Sequence, residues 1–124
     1  MSFLILKAFL QLVQFDMYLA RGNFAALYKK VRQYPVGKRP LSPDAVARVC
    51  SAIDMACIWY WKKALCLQRS AATTCLLKRY GVPAQMVIGT RRMPFKAHAW
   101  VEVDGRVVND KPYTSEIYAV LDRC

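Results

Sequence analysis

Five cysteines and a single histidine set the limits of the chemistry open to this chain. One imidazole cannot build a site that needs two, and the cysteines show no repeated C-x-x-C spacing, so no zinc ribbon is expected. Their odd number (Cys50, Cys57, Cys66, Cys75 and Cys124) also argues against a disulfide framework. They read as reduced thiols in a cytoplasmic setting, with no metal and no cofactor. The remaining chemistry is nucleophilic attack by a thiol. A cysteine in a helical stretch is most often a small hydrophobe, so a nucleophile must be recognised by its companions. Cys66 has them: His98 lies downstream on a predicted strand, and Asp110 follows at a strand end, in the order nucleophile, base, orienter.

Each position has a chemical reason. A thiol must become a thiolate, and the first turn of a helix favours the anion while offering backbone N–H groups to an oxyanion. The imidazole takes the thiol proton and returns it to the departing amine. A carboxylate behind the ring fixes its tautomer and orientation. Each residue also has an ordinary use. His98 could be a half-buried strand residue beside Trp100, and Asp110 could be a turn former in Asn109-Asp110-Lys111-Pro112.

The elements that must position these groups follow from patterning. A first helix is predicted over Phe3 to about Ala20, and Arg21-Gly22-Asn23 makes a turn into a second, Phe24 to Gln33. Phe3, Leu4, Leu6, Leu10, Val13 and Met17 could fill one face of the first helix, with Ile5, Phe9, Leu12, Phe15 and Leu19 leaving much of the rest apolar. Pro35, Gly37 and Pro40 break the chain, and Ser42-Pro43-Asp44 starts a third helix with a cap, a preset φ and a carboxylate at the positive end. Propensity carries that helix without interruption to Tyr80, where Gly81 and Pro83 stop it. Gln85–Thr90, Ala97–Val103 and Arg106–Asn109 then read as strands, and Tyr113–Cys124 as a last strand or irregular chain. The fold class is α+β, helices first and a small antiparallel sheet after them.

With 124 residues and a 56% apolar composition, the chain is expected to form a single domain, a helical region over 1–40 preceding a catalytic core over 41–124. The net charge of +11 would attract an acidic peptide, a nucleic acid or an anionic surface. The basic residues come in scattered pairs such as Lys29-Lys30 and Arg91-Arg92, so a solvated basic face is expected and no nucleic-acid partner. Lys7, Gln11, Gln14 and Asp16 interrupt the apolar N-terminus, so neither a membrane span nor a signal peptide is expected.

The runs Cys66-Leu67-Gln68-Arg69-Ser70, Leu76 to Ala84, Ile88-Gly89-Thr90-Arg91, Pro94 to Glu102 and Val108-Asn109-Asp110 resemble the leader peptidases of lasso peptide biosynthesis, the transglutaminase-like B2 proteins. The resemblance covers a little under half the chain. It implies a papain- or transglutaminase-like fold, a helix boundary just before Cys66, and a catalytic triad of Cys66, His98 and Asp110. It implies a cysteine peptidase that trims the leader from a precursor peptide, so that an ATP-dependent lasso cyclase can use the new N-terminus. It also implies a separate leader-recognition protein, since the helical N-terminus leaves no room for that module. A non-catalytic scaffold of the same pathway, or an acyltransferase on the same triad, are the alternatives.

The hairpin at Asp104-Gly105 carries a geometric expectation. A two-residue loop would put His98 and Asp110 on opposite faces of the sheet. A three-residue loop with a bulge would set His98 across from Asp110 and Glu102 across from Arg106, so an odd loop with positive φ at Gly105 is predicted.

Overall fold

The computed structural model describes residues 2–37, 44–60, 65–92 and 95–124. In chain order the elements are α1 (Ser2–Ala20), α2 (Phe24–Gln33), α3 (Ala45–Trp59), α4 (Cys66–Arg79), β1 (Ala84–Arg91), β2 (Lys96–Val103), β3 (Arg106–Val107), α5 (Thr114–Ile117) and β4 (Ala119–Arg123). The strands form one antiparallel sheet in the order β3-β2-β1-β4. The expected α+β arrangement is therefore present, and the tail supplies both a short helix and the last strand. Ser42 and Pro43, expected to start α3, lie outside the described residues.

Helix α1 buries a seam of Leu4, Ala8, Leu12 and Phe15, spaced to face one side of a 3.6-residue turn, against α3 and α4. The two apolar groups read from the sequence divide differently from expectation. Leu4 goes inside, while Phe3, Leu6, Leu10 and Met17 from the same group stay exposed. The window Phe3–Ala20 has a mean hydropathy of 1.4, long and apolar enough to cross a membrane by length and composition, with 28% of it buried. Helix α2 starts where the Asn23 side chain accepts from the Ala26 N–H, and it buries Leu27 and Val31.

The uninterrupted helix to Tyr80 that propensity predicts is wrong, and the boundary just before Cys66 that the family resemblance implies is found. Helix α3 ends at Trp59, Tyr60 is extended, and a new helix begins at Cys66. The cause is tertiary. Tyr60 is buried, its hydroxyl donates to Asp16 Oδ2 at 2.8 Å, and its ring tilts against Phe9 at 5.4 Å, so α1 pulls the chain out of helical register. Helix α4 is then buried continuously from Ser70 to Lys78, which makes it the central helix. At its far end the Lys78 amine donates to the Val31 carbonyl at 2.6 Å, and burial pulls its pKa down.

Strand alternation gives the sheet two distinct faces. Met86 and Val101 join the helical core, whereas His98, Trp100 and Glu102 alternate to the other face. Gly89 pairs with His98, and a Cβ built there would lie 2.6 Å from the Trp100 ring and 2.9 Å from Tyr118 Cβ. Gly89→Ala is therefore expected to displace Trp100, lowering stability by about 1–3 kcal/mol as other overpacked sites do. Thermal unfolding checks this, with no change in melting temperature as the opposing result.

Candidate active site

Cys66 is the first residue of α4, where the leading backbone N–H groups of a helix have no intrahelical acceptor. Leu65 precedes it in extended conformation and has no side-chain acceptor, so the turn is fixed from the other direction. Gln68, buried at the third helical position, accepts from the Leu65 N–H at 3.3 Å and donates through Nε2 to the Leu12 carbonyl at 2.7 Å. One amide thereby shapes the first turn of α4 and ties it to α1.

Among the five cysteines only Cys66 is exposed. Burial pushes the thiols of Cys50 up to about 11 and Cys75 up to about 12, and it raises those of Cys57 and Cys124 as well. Those four are poor nucleophiles at neutral pH.

His98 and Cys66 line the same cleft of about 230 Å³, whose other walls include Phe24, Tyr28, Leu67 and Ile88. The imidazole Nε2 lies 2.5 Å from Asp110 Oδ2. Its ring stacks on Trp100 with centroids 6.1 Å apart and tilts against Tyr118 at 5.3 Å. Trp100 is fixed in turn, its Nε1 donating to the buried Glu102 carboxylate at 2.9 Å. Burial acts to raise the Asp110 pKa but is outweighed. The His98 hydrogen bond, the Lys111 N–H donated to Oδ1 and the charges of His98 and Arg69 hold it below the usual carboxylate range.

The structure reaches this pairing by a route other than the predicted one. The turn is a two-residue loop with positive φ at both Asp104 and Gly105, pairing Val103 with Arg106 and Glu102 with Val107. The predicted three-residue loop and the Glu102–Arg106 pair are absent, although positive φ at Gly105 is found. Glu102 instead lies 3.6 Å from Arg123. His98 still meets Asp110 because β3 ends at Val107, so Asp110 sits in a bend where strand alternation no longer dictates its direction.

The chain matches the family described as the Transglutaminase-like superfamily over residues 9–123. It belongs to that superfamily. Among curated proteins, the microcin J25-processing protein McjB of Escherichia coli is 41% identical over 59 residues, which cover 48% of this chain and 28% of that relative. The match thus spans less than a third of the relative's length. No solved structure matches the chain significantly.

Within this transglutaminase-like chain, sequence reasoning singled out Cys66, His98 and Asp110, and the structure brings them to one region. It missed Gln68, Asn109 and the aromatic bracket around the imidazole. Gln68 was findable as the third residue of a helix starting at the boundary that the resemblance implies, where a glutamine side chain can accept from the N-cap N–H. Asn109 reads from the sequence only as a strand end and turn residue, with no role in the site.

Proposed function

We propose that this chain is a cysteine peptidase that removes the leader from a lasso precursor peptide in the cytoplasm. The observation that supports it best is the exposed Cys66 sharing a cleft with His98, whose Nε2 is already bonded to Asp110. With Nε2 committed, Nδ1 is the nitrogen left for proton exchange. His98 takes the Cys66 proton and the thiolate attacks the scissile carbonyl carbon, forming a C–S bond and an oxyanion. The backbone N–H groups at the start of α4 stabilise that charge. His98 then protonates the amide nitrogen as the C–N bond breaks, freeing the core peptide's N-terminus. Water, losing a proton to His98, attacks the thioester, and the C–S bond breaks to release the leader carboxylate and the thiol.

The leader would be held by a separate recognition protein, which raises the local concentration of the scissile bond, and the freed amine would pass to the lasso cyclase. The name of the E. coli relative, a processing protein, supports a precursor peptide as substrate. The test is mass analysis of precursor incubated with this chain, with and without the recognition protein. Two peptides whose masses sum to the precursor plus one water are expected, faster with the partner present. Precursor left intact under both conditions, or a leader joined to an added amine, would overturn hydrolysis as the activity.

A further inference from the structure

We infer that Asn109 is a positioning residue that sets the approach of Cys66 to His98. The inference rests on the proposed triad and adds to it a fourth residue that touches no substrate. In a regular antiparallel ladder the narrowly spaced pair Val101 and Val108 would exchange two hydrogen bonds. One of them forms, from the Val108 N–H to the Val101 carbonyl at 3.0 Å. The reciprocal bond is replaced, because the Val101 N–H donates to Asn109 Oδ1 at 2.8 Å. The displaced Val108 carbonyl lies 3.6 Å from the Cys50 thiol, which donates to it. A side-chain amide has thus taken the place of a main-chain carbonyl, and this substitution ends β3 and turns the chain into the bend that carries Asp110.

The other end of the same amide reaches the nucleophile's helix. Asn109 Nδ2 donates to Ser70 Oγ at 3.2 Å, and Ser70 is buried on α4 one helical turn beyond Cys66. Asn109 therefore ties together the strand that carries the base, the helix that carries the nucleophile and the adjacent orienter. An amide suits the position because it accepts from one partner and donates to the other within one rigid plane. Alanine provides neither contact, and the Val101 N–H would lose its acceptor.

The test compares wild type with Asn109→Ala, Ser70→Ala and His98→Ala by the pH dependence of Cys66 alkylation with iodoacetamide, mapped by mass spectrometry, alongside kcat, KM and melting temperature. His98→Ala is expected to move the wild-type pH–rate profile, because the imidazole takes the thiol proton. Asn109→Ala is expected to move the midpoint the same way by about one pH unit, a tenfold change in rate at fixed pH, and to lower kcat more than KM. Ser70→Ala, which keeps the Val101 bond, should give a smaller shift in that direction and serves if Asn109→Ala fails to fold. A lower melting temperature with unchanged profiles in both variants would make Asn109 an ordinary structural contact and overturn the inference. If His98→Ala leaves the profile unmoved, the triad itself fails and the inference falls with it.

Discussion

Cys66→Ala is expected to abolish leader cleavage, with kcat lowered by about 10⁴-fold or more, as removal of a nucleophile does in enzymes whose catalytic residues act as a unit. The remaining thiols cannot substitute, since each is at least half-buried and raised in pKa by that burial. Cys57→Ser and Cys124→Ser should accordingly retain wild-type kcat/KM. Native protein treated with one equivalent of iodoacetamide should lose activity in step with labelling at Cys66. Cleavage by Cys66→Ala at the wild-type rate, or inactivation that tracks labelling at another cysteine, would remove Cys66 from the mechanism.

Asp110→Asn carries the second largest expected effect. The amide keeps the shape but offers His98 a group that can hold the wrong tautomer, and kcat should fall by about 10²- to 10⁴-fold. The same substitution has a signature in stability. The folded-state pKa of Asp110 is depressed, so its contribution is fully present above the unfolded value of about 3.9 and is lost as pH falls through the folded value. Denaturant titrations of wild type between neutral pH and the acid range should therefore show an acid-limb loss that Asp110→Asn lacks in part. Identical acid limbs in the two proteins would mean that the His98–Asp110 bond does not persist in solution.

The helices and strands read from the sequence were those whose causes are local. Gly22 turned α1 into α2 because it takes positive φ, the Asn23 cap started α2, and Gly81 stopped α4. The break before Cys66 is implied by the family resemblance but invisible to propensity, because nothing in the local sequence of residues 44–80 demands it. It comes from α1, through the Asp16 bond to Tyr60 and the Leu12 carbonyl that Gln68 reaches. The hairpin register was misjudged for a related reason. Strand alternation would dictate the direction of Asp110 only if β3 ran on to it, whereas the Asn109 side chain ends the ladder first. The order of Cys66, His98 and Asp110 was legible from residue type and motif, but not the means by which the chain brings them together.

If the proposed triad is the active site, its tethers have unequal reach along the chain, and this bears on when a nascent molecule would become reactive. The base and its orienter are 12 residues apart in sequence, and the β2–β3 hairpin between them closes quickly. Fixing the nucleophile takes longer spans, 39 residues from Ser70 to Asn109 and 56 from Leu12 to Gln68. Such closures cost more chain entropy and follow the local ones. Cys66 and His98 therefore come to share their cleft only when both the N-terminal helix and the segment past the hairpin have docked on α4. An incomplete or misfolded chain would carry a cysteine without its base, and peptide-bond cleavage would begin only with the finished domain.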